Sequence, residues 1–197
     1  MMDVRKAVEN MTLRHLEELE EREKRKAAVH EAGHATVAAT KGVRVDAWIH
    51  RNESGDPGEK AWLGHVRNVP RFVWQDGKPA LADDLKTLGS TYAVAGMVAE
   101  ELHDSPKETY DSIVENWKLG LCTPSPADLE LCSEDWRERS KAVAEAVRIL
   151  RDQMPLFDRI VAELLEHRSL ADGHIAFLAA QLLTAGATPA KEENGNA

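Results

Sequence analysis

Cysteine is nearly missing from this chain: Cys122 and Cys132 are the only two in 197 residues. They form no CxxC pair and suggest no disulfide framework, so a disulfide-stapled secreted scaffold is excluded and a reducing cytoplasmic setting is expected. A surplus of basic charge is missing too. Lys and Arg number 25 against 34 Asp and Glu, which gives a formal net charge of -9. Nucleic-acid binding needs clustered Lys and Arg against phosphates, so nucleic acid is not an expected partner. Local basic patches are not excluded by this balance. Long apolar runs are also absent. The longest weakly polar stretch, Ile175 to Ala187, is too short to span a bilayer and contains Gln181. The N-terminal residues are charged and lack the apolar core of a signal peptide. Gly77-Lys78-Pro79 lacks the preceding glycine and the Ser/Thr of a P-loop. A cytoplasmic protein without a membrane span is the expectation.

Hydrophobic residues make up 43% of the chain, enough for one domain with a core and too few residues overall for a second full domain. Residues 1–26 are rich in Glu, Lys and Arg, with Leu13, Leu16 and Leu19 on a narrow stripe; they read as a charged N-terminal helix. Helical pattern continues, or restarts, through Ala27 to Lys41, with Gly42 as its C-cap. Val43 to His50 alternates as a strand. Ala61 to Val66 and Arg71 to Trp74 are further strand candidates, and Asp76-Gly77 is a turn signal. Leu81 to Leu102 reads as a helix, with Tyr92, Ala95, Gly96 and Ala99 as a small-residue face open to close approach. A short helix is expected around Asp111 to Trp117. Ser125-Pro126 opens another, and Ala142 to Arg151, Pro155 to His167 and Asp172 to Leu183 follow. Ile149, Leu150, Phe157, Ile160, Val161, Leu164 and Leu165 are core candidates. The pattern is α+β and mainly α-helical: a small sheet beside a central helix, then a C-terminal helical bundle. Residues 27–184 form the single domain, and 185–197 a small, polar, disordered tail.

The chemistry concentrates in His30-Glu31-Ala32-Gly33-His34. Two histidines four apart on a helix lie about 40° apart around its axis, so both imidazoles reach one metal ion. Glu31 follows the first histidine, where a carboxylate can take a proton from a metal-activated water. Gly33 costs about 1 kcal/mol relative to Ala in a helix interior, which suggests that something packs closely on that turn. A catalytic zinc usually has three protein ligands and one water. Asp128, Asp111, Glu100, Glu101, His50, His65 and His103 all compete for the third place. For Asp128 the bland alternative is helix capping with Ser125.

Ala28-Val29-His30-Glu31-Ala32-Gly33-His34-Ala35 resembles the active-site helix of the FtsH-type zinc metallopeptidases. Val45 to Ile49 followed by Leu63-Gly64-His65 is similar to the family's strand pair, with His65 in place of an aromatic. Ala95 to Leu102, with its A-E-E-L ending, resembles the family's G-G-x-A-A-E-E-L helix. Ser125 to Leu129 resembles the segment that carries the family's zinc-binding aspartate. Leu164 to Leu170 with Ile175 resembles its C-terminal L-L-E-x-x-T-L pattern. The match covers roughly residues 22 to 180 in family order.

The resemblance implies a zincin-like metallopeptidase domain binding Zn²⁺ through His30, His34 and Asp128, with Asp111 as the reserve candidate for the third ligand. It implies that Glu31 is the general base of a zinc endopeptidase, with a peptide or unfolded protein as substrate. Family members are usually fused to a AAA+ ATPase and to membrane helices. The sequence here shows neither, so an ATP-independent, stand-alone peptidase domain is expected. A homo-oligomer and a separate ATPase or regulatory chain stay open as partners. The rival reading is a metallopeptidase-like binding or regulatory module without proteolysis.

Overall fold

Helix α1, Val4–Thr40, is unbroken across 37 residues. At about 1.5 Å per residue it is about 55 Å long. The computed structural model of the chain describes residues 4–186 apart from Gly55, Pro57, Pro70 and Asp83. The tail expected from residue 185 falls outside the described residues from 187 on, and the last helix runs through Gly186. Charge divides α1 into two environments. Around Leu16, which is 55% exposed, the Glu/Lys/Arg-rich turns face solvent. From Ala28 to Ala38 the side chains are buried on nearly every side, His30 excepted. The second half is therefore the central helix of the domain. Gly42, at φ 74, ends it. The Gly42 N–H donates to the Ala39 carbonyl and the Val43 N–H to the Ala38 carbonyl, which satisfies carbonyls the helix leaves open.

Strands β1 (Val45–Arg51) and β2 (Trp62–Asn68) form an antiparallel pair in which Ala47 faces Val66 and Ile49 faces Gly64. Val45, Ala47 and Ile49 are buried on the face toward α1, and the residues between them are more exposed, as the alternation requires. Strands β3 (Arg71–Gln75) and β4 (Lys78–Ala82) form a separate hairpin. Asp76 and Gly77, both at positive φ, are its two-residue turn. Here the sequence reading needs correction. The helix expected from Leu81 starts at Asp84, because Lys78 to Ala82 pairs with β3 despite its helix-favouring alanines and leucine. That helix is also divided. Helix α2, Asp84–Ala93, has Gly89 at φ 53 inside it, and α3 is Ala95–Asp104. A left-handed glycine breaks the ladder that a continuous helix would need.

The remaining helices are α4 (Tyr110–Lys118), α5 (Pro126–Leu129), α6 (Trp136–Asp152) and α7 (Met154–His167), with α8 (Asp172–Gly186) last. Between α7 and α8 lies β5, Ser169–Leu170, which pairs with β1. The sheet order is β2-β1-β5, so β2 is an edge strand. The fold is α+β and mainly helical. Helix α1 packs against β1, β2, α3, α6, α7 and α8, and the core lies around it. Of the expected core residues, Ile149, Leu150, Phe157, Ile160, Val161 and Leu164 are buried, and Leu165 is partly so. Among the described residues no helix is long and apolar enough to cross a membrane.

Helices α1 and α3 approach closely at Gly33. A Cβ on Gly33 would lie 2.6 Å from the Ala95 carbonyl oxygen and 2.6 Å from the Ala99 methyl. The small-residue face of α3 thus meets the glycine of α1. Gly33→Ala should lower unfolding stability by about 1–3 kcal/mol through overpacking, although alanine favours helix by about 1 kcal/mol. Urea denaturation of the two proteins checks this; equal or greater stability in the variant would contradict the packing argument.

Candidate metal centre

His30 and His34 lie on the buried turn of α1, and Asp128 comes from α5. Ser125 sets α5 up: its side chain accepts the Asp128 N–H, and its hydroxyl donates to Asp128 Oδ2 at 2.7 Å. Pro126 suits the first helical position because it has no N–H to leave unpaired. Asp128 takes the capping role its sequence position allowed and is placed where a ligand role is open to it. It is half of a capping pair, and it faces both histidines.

The three side chains form a group that can hold a metal ion. His30 Nε2 and His34 Nε2 are 3.2 Å apart. His30 Nε2 lies 3.4 Å from Asp128 Oδ2, and His34 Nε2 lies 3.5 Å from Asp128 Oδ1. Tetrahedral zinc at about 2.0–2.1 Å from its ligands spaces those ligands about 3.3–3.4 Å apart. The donor separations fit that edge length.

Proton positions support the fit. His34 Nδ1 lies 2.9 Å from the Tyr92 carbonyl oxygen. A carbonyl only accepts, so Nδ1 carries the hydrogen and neutral His34 presents a lone pair at Nε2. His30 Nδ1 lies 2.8 Å from Glu100 Oε1, and Glu100 Oε2 in turn pairs with Lys26 Nζ at 3.0 Å. A neutral His30 held this way also has its lone pair at Nε2. Two such lone pairs at 3.2 Å, facing a carboxylate, repel unless a proton or a cation lies among them. In the metal-free chain a proton fills that role. Burial pulls the His30 pKa down, but Asp128, Glu100 and the Glu31 charge outweigh it and raise it from 6.5 to about 9. Burial pushes Asp128 up, yet His30, His34 and Ser125 hold it well below the usual carboxylate range.

Glu31 has a different environment. It is 6% exposed, and its carboxylate lies against β2. A Cβ on Gly64 would come within 2.3 Å of Glu31 Cγ. Burial raises the Glu31 pKa, and the nearby histidines only partly offset this. Gly96 gives His30 the same kind of room: a Cβ there would lie 2.4 Å from His30 Nε2. The site opens into a cleft of about 760 Å³ between α1, β2, α3 and α5.

The other residues weighed for the third ligand are placed elsewhere. Glu100 braces His30 from behind. Glu101 accepts from Asn116 at 3.1 Å. Asp111 is exposed in the first turn of α4. His65 lines the cleft but stacks on His50, with ring centroids 5.7 Å apart. His103 lies on the cleft wall. Sequence reasoning missed the Tyr92 carbonyl, since backbone acceptors leave no mark in residue identity. It noticed Glu100 but not its position behind the ring.

Two outcomes follow for metal binding. A metal must displace the His30 proton, so zinc binding near pH 7 should release about one proton, and affinity should fall about tenfold per pH unit on acidification. The sign is fixed by the raised pKa. Protonated His30 stabilises the metal-free fold below about 6.5, and that contribution is lost as pH rises through about 9. Titration calorimetry in buffers of different ionisation enthalpy measures the proton; zinc affinity that is flat across this range would contradict the assignment. Glu100→Ala should weaken zinc binding by about 10–100-fold through loss of the ring's support, read by chelator competition. In comparisons with known proteins, no family model matches the chain and no curated protein matches it.

Proposed function

We propose that the chain is a zinc-dependent endopeptidase of the FtsH type on a zincin-like scaffold, acting on peptides or unfolded protein segments. The observation that supports this most is the division of labour among four side chains. His30, His34 and Asp128 form a ligand triangle, and Glu31 is a separate, buried carboxylate of raised pKa on the same cleft. Two imidazoles and one carboxylate suit Zn²⁺ better than the all-oxygen sets that Mg²⁺ and Ca²⁺ prefer. A Zn²⁺ held by these residues would supply Lewis acidity toward a water and toward the scissile carbonyl.

The protein's own groups do the rest. Glu31 accepts a proton from the attacking water at a carboxylate oxygen and delivers it to the leaving nitrogen. A carboxylate with raised pKa is the stronger base and keeps the proton long enough to return it. The Tyr92 carbonyl and Glu100 hold the two rings in one orientation, so no reorientation is needed in the reaction. Among the described residues β2 pairs with a strand on one side only, so an extended peptide can add beside Glu31 as a further strand. Gly64 keeps that strand within contact of Glu31.

Glu31→Gln should retain stoichiometric zinc and lose at least about 100-fold in cleavage of unfolded, casein-like substrates. Metal analysis and fluorogenic peptide turnover measure the two properties on one preparation. Undiminished cleavage in the variant would remove Glu31 from the mechanism. Zinc without turnover of any peptide by the native chain would favour the binding module.

A further inference from the structure

The lining of the cleft holds four Lys and Arg beside five carboxylates. Arg22 and Arg25, three residues apart on α1, line it, and so does Lys60 at the end of the β1–β2 loop. Among the described residues none of these three side chains has a hydrogen-bond or ion-pair partner. The neighbouring carboxylates are mostly engaged. Glu23 accepts the Ala61 N–H at 2.6 Å, and Glu100 is shared by His30 and Lys26. Asp104 lies beside Lys26, whose pKa it helps raise, and Glu31 and Asp128 line the end of the cleft at the candidate metal centre. A chain of net charge -9 repels acidic polypeptides at long range. A Zn²⁺ held by His30, His34 and Asp128 would make this lining net positive, and low-dielectric walls focus such a field.

We propose that the cleft selects polypeptide segments with acidic residues, and that Arg22, Arg25 and Lys60 are the specificity-determining cations. That the occupant is a polypeptide rests on the peptidase reading; that it is acidic rests on the cleft. The cations come from two sides, α1 and the loop before β2. All three line the cleft that a strand added to β2 would enter. Exposed pairs of this kind each contribute modestly, and together they give about a tenfold preference at low salt. The preference should shrink as the Debye length falls toward about 8 Å at 0.15 M salt.

The test is a binding measurement that does not need turnover. Zinc-loaded Glu31→Gln protein is titrated into three fluorescein-labelled decapeptides that differ at two positions: Asp/Asp, Asn/Asn or Lys/Lys. Anisotropy should rank them in that order, with about tenfold between the extremes. Adding Arg22→Glu and Arg25→Glu should invert the order, and Lys60→Glu alone, on a different element, should narrow it. The same affinity for all three peptides, a preference that survives the reversal, or no binding of any peptide overturns the proposal. Charge-ranked binding that inverts on reversal, in a protein whose native form cleaves none of the peptides, supports the cleft assignment and sinks the peptidase reading instead.

Discussion

Gly33 meets the Ala95 carbonyl and the Ala99 methyl at a distance that leaves no room for a side chain. Much else depends on that contact. It lowers α3 onto the turn of α1 that carries His30 and His34. Glu100, also on α3, thereby reaches His30 Nδ1. Gly96 of the same helix makes room for the His30 ring itself, and Gly64 does the same for Glu31 on the opposite side. Three missing Cβ atoms thus surround one helical turn. The helix propensity given up at Gly33, about 1 kcal/mol, is small beside the loss of a histidine's support.

Electrostatics explains why this turn tolerates so many polar groups. Glu31, His34 and Thr36 are all buried within two helical turns. His30 and His34 each have one ring nitrogen tied to a fixed acceptor. The other nitrogens converge on Asp128, which neutralises a proton or a cation between them. Lys26 closes the other end of the chain through Glu100. The result alternates in sign from the Lys26 ammonium through Glu100 and His30 to Asp128. A buried charge without such a partner would cost several kcal/mol.

Much of this was legible from residue order. The HEAGH turn, the strand pair after it, the small-residue face at Ala95 to Ala99 and the Ser125 cap each have a local pattern, and the structure has each in the expected place. What escaped the sequence was set by partners far along the chain. Strand β4 has helix-favouring residues and becomes a strand because β3 is available across a two-residue turn. Strand β5 is two residues long, too short for any periodicity, and exists because β1 has a free side. The break at Gly89 depends on a left-handed backbone that many helical glycines do not adopt. Asp128 was the hardest case, since capping and ligation ask for the same residue at the same helix end. A ligand role would be compatible with the cap here, because Ser125 leaves one Asp128 oxygen free of it.

That compatibility bears on how the site is held together. Helix α5 is a single turn and buries none of its own residues. Leu119 and Leu121 before it and its own Leu129 are exposed. Its visible ties are the Ser125 cap, the Ser133 N–H on Ser90 Oγ at 2.8 Å, and the partly buried Leu131 and Cys132. A cap contributes about 1 kcal/mol. A metal present at about a thousandfold excess over its dissociation constant adds about 4 kcal/mol to the state that binds it. Metal binding would therefore outweigh the local ties of α5, joining residue 128 to residues 30 and 34 across the cleft. The apolar core can hold α1 and α3 without help. Asp128 has little core beneath it, so its place depends on charge: the His30 proton, or a cation that would displace it.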